Sequence, residues 1–171
     1  ENIDGFVNVY MPAFYAHKHF AEEVLKLLPN EIQSIVSANR AAFILGTQGP
    51  DILFNYRPFK KTPTRERGIQ LHLSDSKAFY QRAYMLCRTG DGTMAAYVAG
   101  FICHFMLDNA CHPNIFQLED TGVAHGRIES EFDKYLKKRA GIRVHRNAAR
   151  VLSFRKGAGK ACASVLQVQE K

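Results

Sequence analysis

The apolar positions along this chain recur at helical rather than strand spacing. Residues 16–28 show the pattern, because Phe20, Val24 and Leu28 follow at four-residue steps on one predicted helix face. The alternation of apolar and polar residues that marks a half-buried strand is weak throughout. The pattern therefore predicts an all-α fold. Helices are expected at residues 16–28, 31–45, 69–87, 93–111, 124–138 and 142–155.

Glycine and proline mark the expected interruptions between these helices. Residues 46–50 form a breaker cluster, and the polar, Pro-containing residues 55–68 are expected to form a long loop. Pro113 is expected to end the central helix, because proline disfavours helical continuation, with residues 114–123 as the following loop. Residues 157–159 carry two glycines and are expected to interrupt the last segment.

The central segment, residues 93–111, is apolar on nearly every side, which predicts a helix buried in the middle of a bundle. Its apolar run is shorter than the ~18 residues of a membrane span, so the sequence predicts no transmembrane segment. The chain has 171 residues, of which 46% are hydrophobic and 23% are charged. These values are typical of one globular domain.

The net charge of +7 is unevenly distributed along the chain. Residues 134–171 hold eleven of the 23 Lys and Arg residues but one of the 16 acidic residues, so the rest is slightly acidic. We therefore predict a helical domain at residues 11–140 and a basic helical tail at residues 141–171. Residues 1–10 are interpreted as a leader or upstream remnant. The tail could contact an anionic membrane or nucleic acid weakly, or form a solvated surface.

The cysteines favour a reducing compartment. The four cysteines form no C-x-x-C pair and show no spacing typical of a disulfide framework, which favours buried thiols. The N-terminal residues do not show a basic segment followed by an apolar one, so no signal peptide is predicted. We expect a cytoplasmic protein.

The central helix carries the first candidate site. His104, Asp108 and His112 follow one another at four-residue steps, so their side chains point from one helix face. An unpaired carboxylate in so apolar a segment costs several kcal/mol, so Asp108 needs a partner. A metal ion, an arginine or a set of backbone donors would each satisfy it. This segment alone leaves all three open.

Other histidines and carboxylates strengthen the case for a metal. His125 and Glu129 are also four residues apart, and this pair on one helix face can hold a divalent cation or form a surface ion pair. Asp51 follows a Gly-Pro breaker, where the backbone can come close to an ion. His72 and His17 lie near the starts of two further predicted helices. The remaining histidines, His19 and His145, are interpreted as surface residues.

The order of these residues resembles the zinc-dependent phospholipase C superfamily, which also contains the fungal single-strand nucleases. The strings MPAFYAH, LGTQGPDILF, GFICHFMLDNACHP and HGRIESEFDKYL, spread over residues 11–138, resemble its non-secreted bacterial branch. The resemblance implies a single-domain helical bundle with zinc ions clustered at the bottom of a cleft. Two or three zinc ions per chain are expected, and other divalent transition metals suit the same ligands.

The resemblance also implies a role for each candidate ligand. The first zinc ion would be held by Asp51, His72, His104 and Asp108, the second by His17 and Asp108, and the third by His112, His125 and Glu129. The secreted enzymes add an N-terminal tryptophan to the second ion, whereas this chain contains no tryptophan. The step from Asp108 to His112 is also shorter here than in those enzymes.

The implied function is hydrolysis of a phosphoric ester by a phospholipase C-like phosphodiesterase. Clustered zinc neutralises phosphoryl charge and activates water, and Asp108 and Asp51 are the expected catalytic residues beside a metal-bound hydroxide. The substrate is expected to be a phospholipid, a nucleotide or a small phosphodiester. The alternative is a non-catalytic helical domain whose degenerate metal cluster serves binding or structure. An HD-type phosphohydrolase is set aside, because the sequence contains no His-Asp dipeptide.

Two sets of side chains flank the candidate ligands in the sequence. The aromatic set could stack on a base or cover a choline cation, and could equally pack in the core. It comprises Phe14, Tyr15, Phe54, Tyr56 and Phe59. The basic set could form a rim that attracts phosphate, or a solvated loop. It comprises Arg57, Lys60, Lys61, Arg65 and Arg67.

Overall fold

A computed structural model describes residues 14–55, 60–73, 76–142 and 156–167. Within these residues the chain forms helices joined by short connections and no strand, which confirms the predicted all-α fold. A 3₁₀ segment spans Gly49–Asn55. The α-helices are α1 (Phe14–Leu25), α2 (Asn30–Ala38), α3 (Arg40–Gly46), α4 (Pro63–Leu73), α5 (Ser76–Thr89), α6 (Gly92–Glu119), α7 (His125–Arg139) and α8 (Lys156–Leu166).

α6 forms the centre of the bundle, as its apolar sequence predicts. It contacts α1, α2, α3, α5, α7 and α8, and its buried residues lie between Ala96 and His104. Asp91 caps the start of the helix by accepting hydrogen bonds from the backbone N–H groups of Thr93 and Met94, at 2.9 and 3.1 Å. Because most other helices pack on α6, its side chains are held where several helices meet.

The expectation that Pro113 ends the central helix is wrong, because α6 continues to Glu119. Proline at this position removes the hydrogen bond to the carbonyl of Asn109. Both residues are exposed, so water can satisfy that carbonyl and the helix can continue. The helix therefore replaces most of the loop expected at residues 114–123, and it carries His112 and Glu119 together.

Other boundaries also differ from the expectation. The helix expected at residues 16–28 ends at Leu25, and the one expected at residues 69–87 is divided between α4 and α5. The helix expected at residues 31–45 divides at Asn39, whose side chain donates to the carbonyl of Ile35 and accepts from the hydroxyl of Thr93. α4 begins at Pro63, inside the expected loop, because proline is favoured at the first helical position. The glycines expected to interrupt the C-terminal segment lie inside α8.

Two glycines allow α3 and α6 to lie very close together. A Cβ at Gly46 would lie 2.1 Å from the carbonyl oxygen of Tyr97, and one at Gly100 would lie 2.2 Å from that of Phe43. Both contacts are with backbone atoms, which cannot move aside without shifting a helix. Glycine at both positions therefore brings the segment after α3 directly against α6.

α8 packs on α3 and α6. Four of its residues are buried in the common core: Ala158, Ala161, Val165 and Leu166. The described part of the predicted basic tail is therefore a helix that joins the core, while the domain boundary near residue 140 stays a prediction. Most of the helix expected at residues 142–155 and all of the leader expected at residues 1–10 lie outside the described residues.

By length and composition alone, α6 could cross a membrane. It has 28 residues, and its most apolar 18-residue stretch has a mean hydropathy of 1.2. One such helix is weak support for a membrane span, because the core helix of a bundle passes the same test. The described residues therefore contain no clear transmembrane segment.

Candidate metal centre

The structure brings the eight predicted ligands together in three groups. Within each group the candidate ligand atoms lie within 4.8 Å of one another. The groups are His17 with His104 and Asp108; Asp51 with His72 and His104; and His112 with His125 and Glu129. Because His104 belongs to the first two groups, we call those five residues the inner cluster. We call the third group the outer cluster.

Asp108 lies at the centre of the inner cluster. Its Oδ1 lies 3.3 Å from Nε2 of His17, and its Oδ2 lies 3.2 Å from Nε2 of His104. The two imidazole rings stack with their centroids 4.1 Å apart. The carboxylate thus offers a separate oxygen to each imidazole, which is the arrangement that a ligand bridging two ions requires.

The imidazole of His104 fits a metal ion better than a hydrogen bond. Its Nε2 is buried and has no hydrogen-bond partner among the described residues, although Oδ2 of Asp108 is close. Two ligand atoms of a tetrahedral zinc ion, each about 2.1 Å from the metal, lie about 3.4 Å apart. The N–O separations of 3.2 and 3.3 Å are close to that value. A zinc ion would therefore give the buried nitrogen its partner.

Asp108 is held as a carboxylate. Burial by itself would raise its pKa, but the imidazoles of His104 and His17 outweigh burial and hold the pKa well below its ordinary value. A carboxylate has to be ionised to bind a metal ion, and histidine binds through a neutral nitrogen. The inner cluster therefore supplies Asp108 in the form that a metal ion needs.

Backbone carbonyls orient two histidines of the inner cluster. Nδ1 of His72 lies 2.8 Å from the carbonyl oxygen of Gly68, and Nδ1 of His104 lies 3.2 Å from that of Thr47. Because a carbonyl oxygen only accepts, each Nδ1 carries the proton and each Nε2 is left available to a metal. Nε2 of His72 lies 2.9 Å from Oδ1 of Asp51. Burial lowers the pKa of His72, but Asp51, the Gly68 carbonyl and the charge of Asp108 together outweigh burial and raise it.

Gly49 explains how the segment after α3 reaches His104. It has a φ of +52°, and a Cβ at this position would lie 2.1 Å from Cδ2 of the His104 ring. The sequence predicts this Gly-Pro breaker as the means by which Asp51 approaches an ion. The structure adds that the breaker lies against a candidate ligand ring, where only glycine fits.

The outer cluster joins the end of α6 to the start of α7. The rings of His112 and His125 meet edge to face with their centroids 5.3 Å apart, and Nε2 of His125 lies 3.1 Å from Oε1 of Glu129. Burial lowers the pKa of His112 and raises that of Glu129. Nδ1 of His125 lies 3.1 Å from Oε2 of Glu119, a residue that sequence reasoning missed.

Asp133 is a second residue that sequence reasoning missed. It is buried, and its carboxylate accepts hydrogen bonds from the backbone N–H groups of Tyr15 and Ala16, at 3.0 and 2.8 Å. Those groups belong to the first turn of α1 and have no partner inside their own helix. Asp133 therefore fixes α1, and with it His17, against α7. No local sequence pattern points to a partner 117 residues away.

Two cavities meet at Asp108, which lines both of them. The first, of about 220 Å³, also reaches His72, His104 and His112. Its aromatic walls are Phe79, Phe101, Phe105 and Phe116. The second, of about 260 Å³, also reaches His17 and Glu129. Its apolar walls are Leu107, Cys111, Ile115, Leu118, Ile128 and Phe132.

Several of the flanking side chains that the structure describes make contacts within the protein. Phe54 stacks on the ring of His72 at 5.4 Å and lies under the guanidinium of Arg65. Arg67 donates to a backbone carbonyl at the end of α8, at 3.2 Å. Partly or fully exposed are Phe14, Tyr15, His19, Lys60 and Lys61. Outside the described residues lie Tyr56, Arg57, Phe59 and His145.

The family model for zinc dependent phospholipase C matches residues 16–163. The match covers most of the chain, including all eight candidate ligands and most of α8. No curated protein and no solved structure matches the chain. The finer resemblance to a non-secreted bacterial branch stays a prediction. With its helical bundle and its three groups of histidines and carboxylates, the chain belongs to the zinc-dependent phospholipase C family.

Proposed function

We propose that this protein hydrolyses a phosphoric ester with zinc ions held by the inner and outer clusters. The position of Asp108 carries the proposal. Its two oxygens lie within 3.3 Å of two different imidazole nitrogens, one of which is buried without a hydrogen-bond partner among the described residues. A site built only for stability would satisfy such a nitrogen, because unpaired buried polar atoms are rare and costly.

The accessibility of the inner cluster supports catalysis over a structural role. The side chains of Asp51 and His72 are 25% and 24% exposed, whereas His104 is buried. A structural zinc site is closed by its protein ligands, and a catalytic one keeps a position open to solvent. The cluster is therefore closed on the side of His104 and open on the side of Asp51.

The chain's own residues have separate tasks in the proposed reaction. Bound zinc would neutralise charge on the phosphoryl oxygens and lower the pKa of water to roughly 7. Asp108 fixes the relative positions of His17 and His104 from the middle of α6. Asp51, on the open side of the cluster, is proposed to orient the attacking water or take its proton.

The shape of the second cavity favours a substrate with an apolar part. Most of its wall is aliphatic or aromatic, and it reaches His17, Asp108 and Glu129 at its polar end. Such a cavity suits an acyl-chain-bearing group better than a sugar or a second phosphate. We therefore propose a phospholipid as substrate, cleaved at its phosphoric ester. Hydrolysis of single-stranded nucleic acid without hydrolysis of phospholipid would contradict this choice.

Replacement of Asp108 tests the reaction directly. Asp108→Asn keeps the shape of the side chain but removes the charge that two imidazoles face, so we expect kcat/KM to fall about 1,000-fold or more. The measurement is zinc-dependent hydrolysis of p-nitrophenyl phosphorylcholine and of phosphatidylcholine vesicles. Asp120→Asn is the matched control, because Asp120 is exposed and belongs to neither cluster. Full activity of Asp108→Asn would contradict the proposal.

Zinc content separates this proposal from a non-catalytic domain. Elemental mass spectrometry of protein purified without chelators is expected to find two or three zinc ions per chain. Zinc content near zero, even after zinc is added back, would favour the alternative in which the cluster is degenerate and the fold serves binding.

A further inference from the structure

His125 is placed between two carboxylates, one at each ring nitrogen. Its Nδ1 lies 3.1 Å from Oε2 of Glu119, and its Nε2 lies 3.1 Å from Oε1 of Glu129. A neutral imidazole carries one N–H, so it can donate to one of these carboxylates and not to both. Without a metal ion, only a protonated ring could donate to both carboxylates. With a metal ion on one nitrogen the ring is neutral, and its single N–H is left for the carboxylate at the other nitrogen.

The outer cluster shows which side would hold the cation. The ligand atoms of His112, His125 and Glu129 come within 4.8 Å of one another, and Glu119 belongs to none of the three groups. A metal ion would therefore lie on the Nε2 side of His125. The proton of a neutral ring then lies on Nδ1, where Glu119 is in position to accept it.

The position of His125 makes an external support necessary. It is the first residue of α7, and Ala124 before it provides no side-chain cap. The preceding connection turns at Gly122, which has a φ of +87°, and the His125 side chain is 34% exposed. Packing alone therefore does not fix the His125 ring, in contrast to the buried ring of His104.

We propose that Glu119 is a positioning residue for the outer cluster. Its carboxylate accepts the Nδ1–H of His125, which fixes the ring tautomer and leaves Nε2 free to bind a zinc ion together with Glu129 and His112. The proposal rests on zinc binding by the outer cluster, which belongs to the proposed function. It adds a residue that is not a ligand but determines how well a ligand binds.

Zinc affinity of two Glu119 variants tests this role. Glu119→Ala removes the acceptor, so we expect the zinc ion of the outer cluster to lose about 10- to 100-fold in affinity while the other ions are unaffected. Glu119→Gln keeps an amide oxygen that can accept from Nδ1–H, so its loss is expected to be smaller. Titration against a chromophoric chelator measures both. Asp120→Ala is the control, because this exposed neighbour is also acidic.

The tautomer of His125 gives a readout that overall stability does not move. Nitrogen-15 NMR of the zinc-loaded protein is expected to show a proton on Nδ1 and metal on Nε2 in the wild type and in Glu119→Gln. Glu119→Ala is expected to lose this single pattern at His125 while the pattern of His72 persists.

Three results would overturn the proposal. Unchanged zinc affinity in Glu119→Ala would show that Glu119 does not support His125. Complete loss of one ion in both variants would make Glu119 a direct ligand instead. A wild-type protein without zinc would overturn this proposal together with the proposed function. The first result, if the variant also shows zinc-dependent hydrolysis, would overturn the role of Glu119 alone and leave the proposed function in place.

Discussion

The inner and outer clusters use the same kinds of ligand but are held in different ways. In the inner cluster His17 and His104 are 3% and 1% exposed, and backbone atoms of Thr47 and Gly49 surround the His104 ring. In the outer cluster the His125 side chain is 34% exposed and is held between two carboxylates. Packing fixes the two buried histidines of the inner cluster, whereas side-chain hydrogen bonds hold His125 in the outer cluster.

This difference indicates which amino-acid substitutions each cluster can tolerate. A site fixed by packing fails when volume is added or a buried partner is removed, because its neighbours cannot relax. A site fixed by exposed hydrogen bonds fails when one polar group is removed, while the surrounding fold is unaffected. Substitutions that add volume or remove a buried partner should therefore damage the inner cluster. Substitutions that remove an exposed polar group should damage the outer cluster.

The largest expected effect comes from adding one methyl group beside His104. Gly49→Ala combines a left-handed backbone with a Cβ 2.1 Å from the His104 ring, so we expect a loss of about 3 kcal/mol in the free energy of unfolding. Urea unfolding of the zinc-free protein measures this loss, and zinc content measures damage to the inner cluster.

Gly122→Ala is the matched control for this experiment. Gly122 also has a positive φ, but nothing lies within 4 Å of its Cβ position. We therefore expect only the cost of the backbone conformation, about 1 kcal/mol. Equal losses in the two variants would show that packing against His104 contributes nothing.

A smaller effect is expected from the support of His17. Asp133→Ala leaves the N–H groups of Tyr15 and Ala16 without their partner, so we expect a loss of about 2 kcal/mol in the free energy of unfolding. A zinc ion held by His17 should also bind more weakly in this variant than in the wild type, whereas the outer cluster should keep its zinc. Thermal unfolding and zinc titration measure the two effects.

The control for Asp133 lies on the same helix. Glu131 makes an exposed ion pair with Lys134, so Glu131→Ala should change stability much less than Asp133→Ala does. If Glu131→Ala and Asp133→Ala reduce stability equally, the buried hydrogen bonds to α1 are not what fixes His17.

The smallest effect is a gain in stability at the junction between the clusters. Pro113→Ala restores the hydrogen bond to the carbonyl of Asn109 on the exposed side of α6, so we expect a gain of about 1 kcal/mol. Zinc content of both clusters should be unchanged. Urea unfolding measures the gain, with the exposed Gln117→Ala as a control. A loss of stability would mean that the proline has a role in fixing the outer cluster.

The sequence predicts the fold class and two pairs of candidate ligands from local spacing, whereas the full set of eight candidates depends on the resemblance to a family. Helical spacing identifies the apolar faces, and steps of four residues place His104 with Asp108 and His125 with Glu129 on common faces. The structure brings all eight candidates together in three groups. Their assignment to particular ions stays a prediction.

The residues that support the ligands depend on contacts that no local pattern contains. Asp133 and the glycine pair of α3 and α6 act on partners in other helices. The relation of Glu119 to His125 is missed because the central helix is expected to end at Pro113. The general rule that proline ends a helix does not consider whether the carbonyl left without its hydrogen bond is exposed to water. With a loop expected at residues 114–123, Glu119 had no predicted relation to His125.

The helix α6 fixes the spacing between the two clusters, because it carries a ligand of each. Asp108 and His112 are four residues apart on a continuous helix, so they are separated by about 6 Å along its axis. Because a helix is rigid along its axis, the protein cannot adjust this spacing to a bound inhibitor. An inhibitor with two chelating heads, one for each cluster, would therefore have one best linker length, and shorter or longer linkers would engage a single cluster.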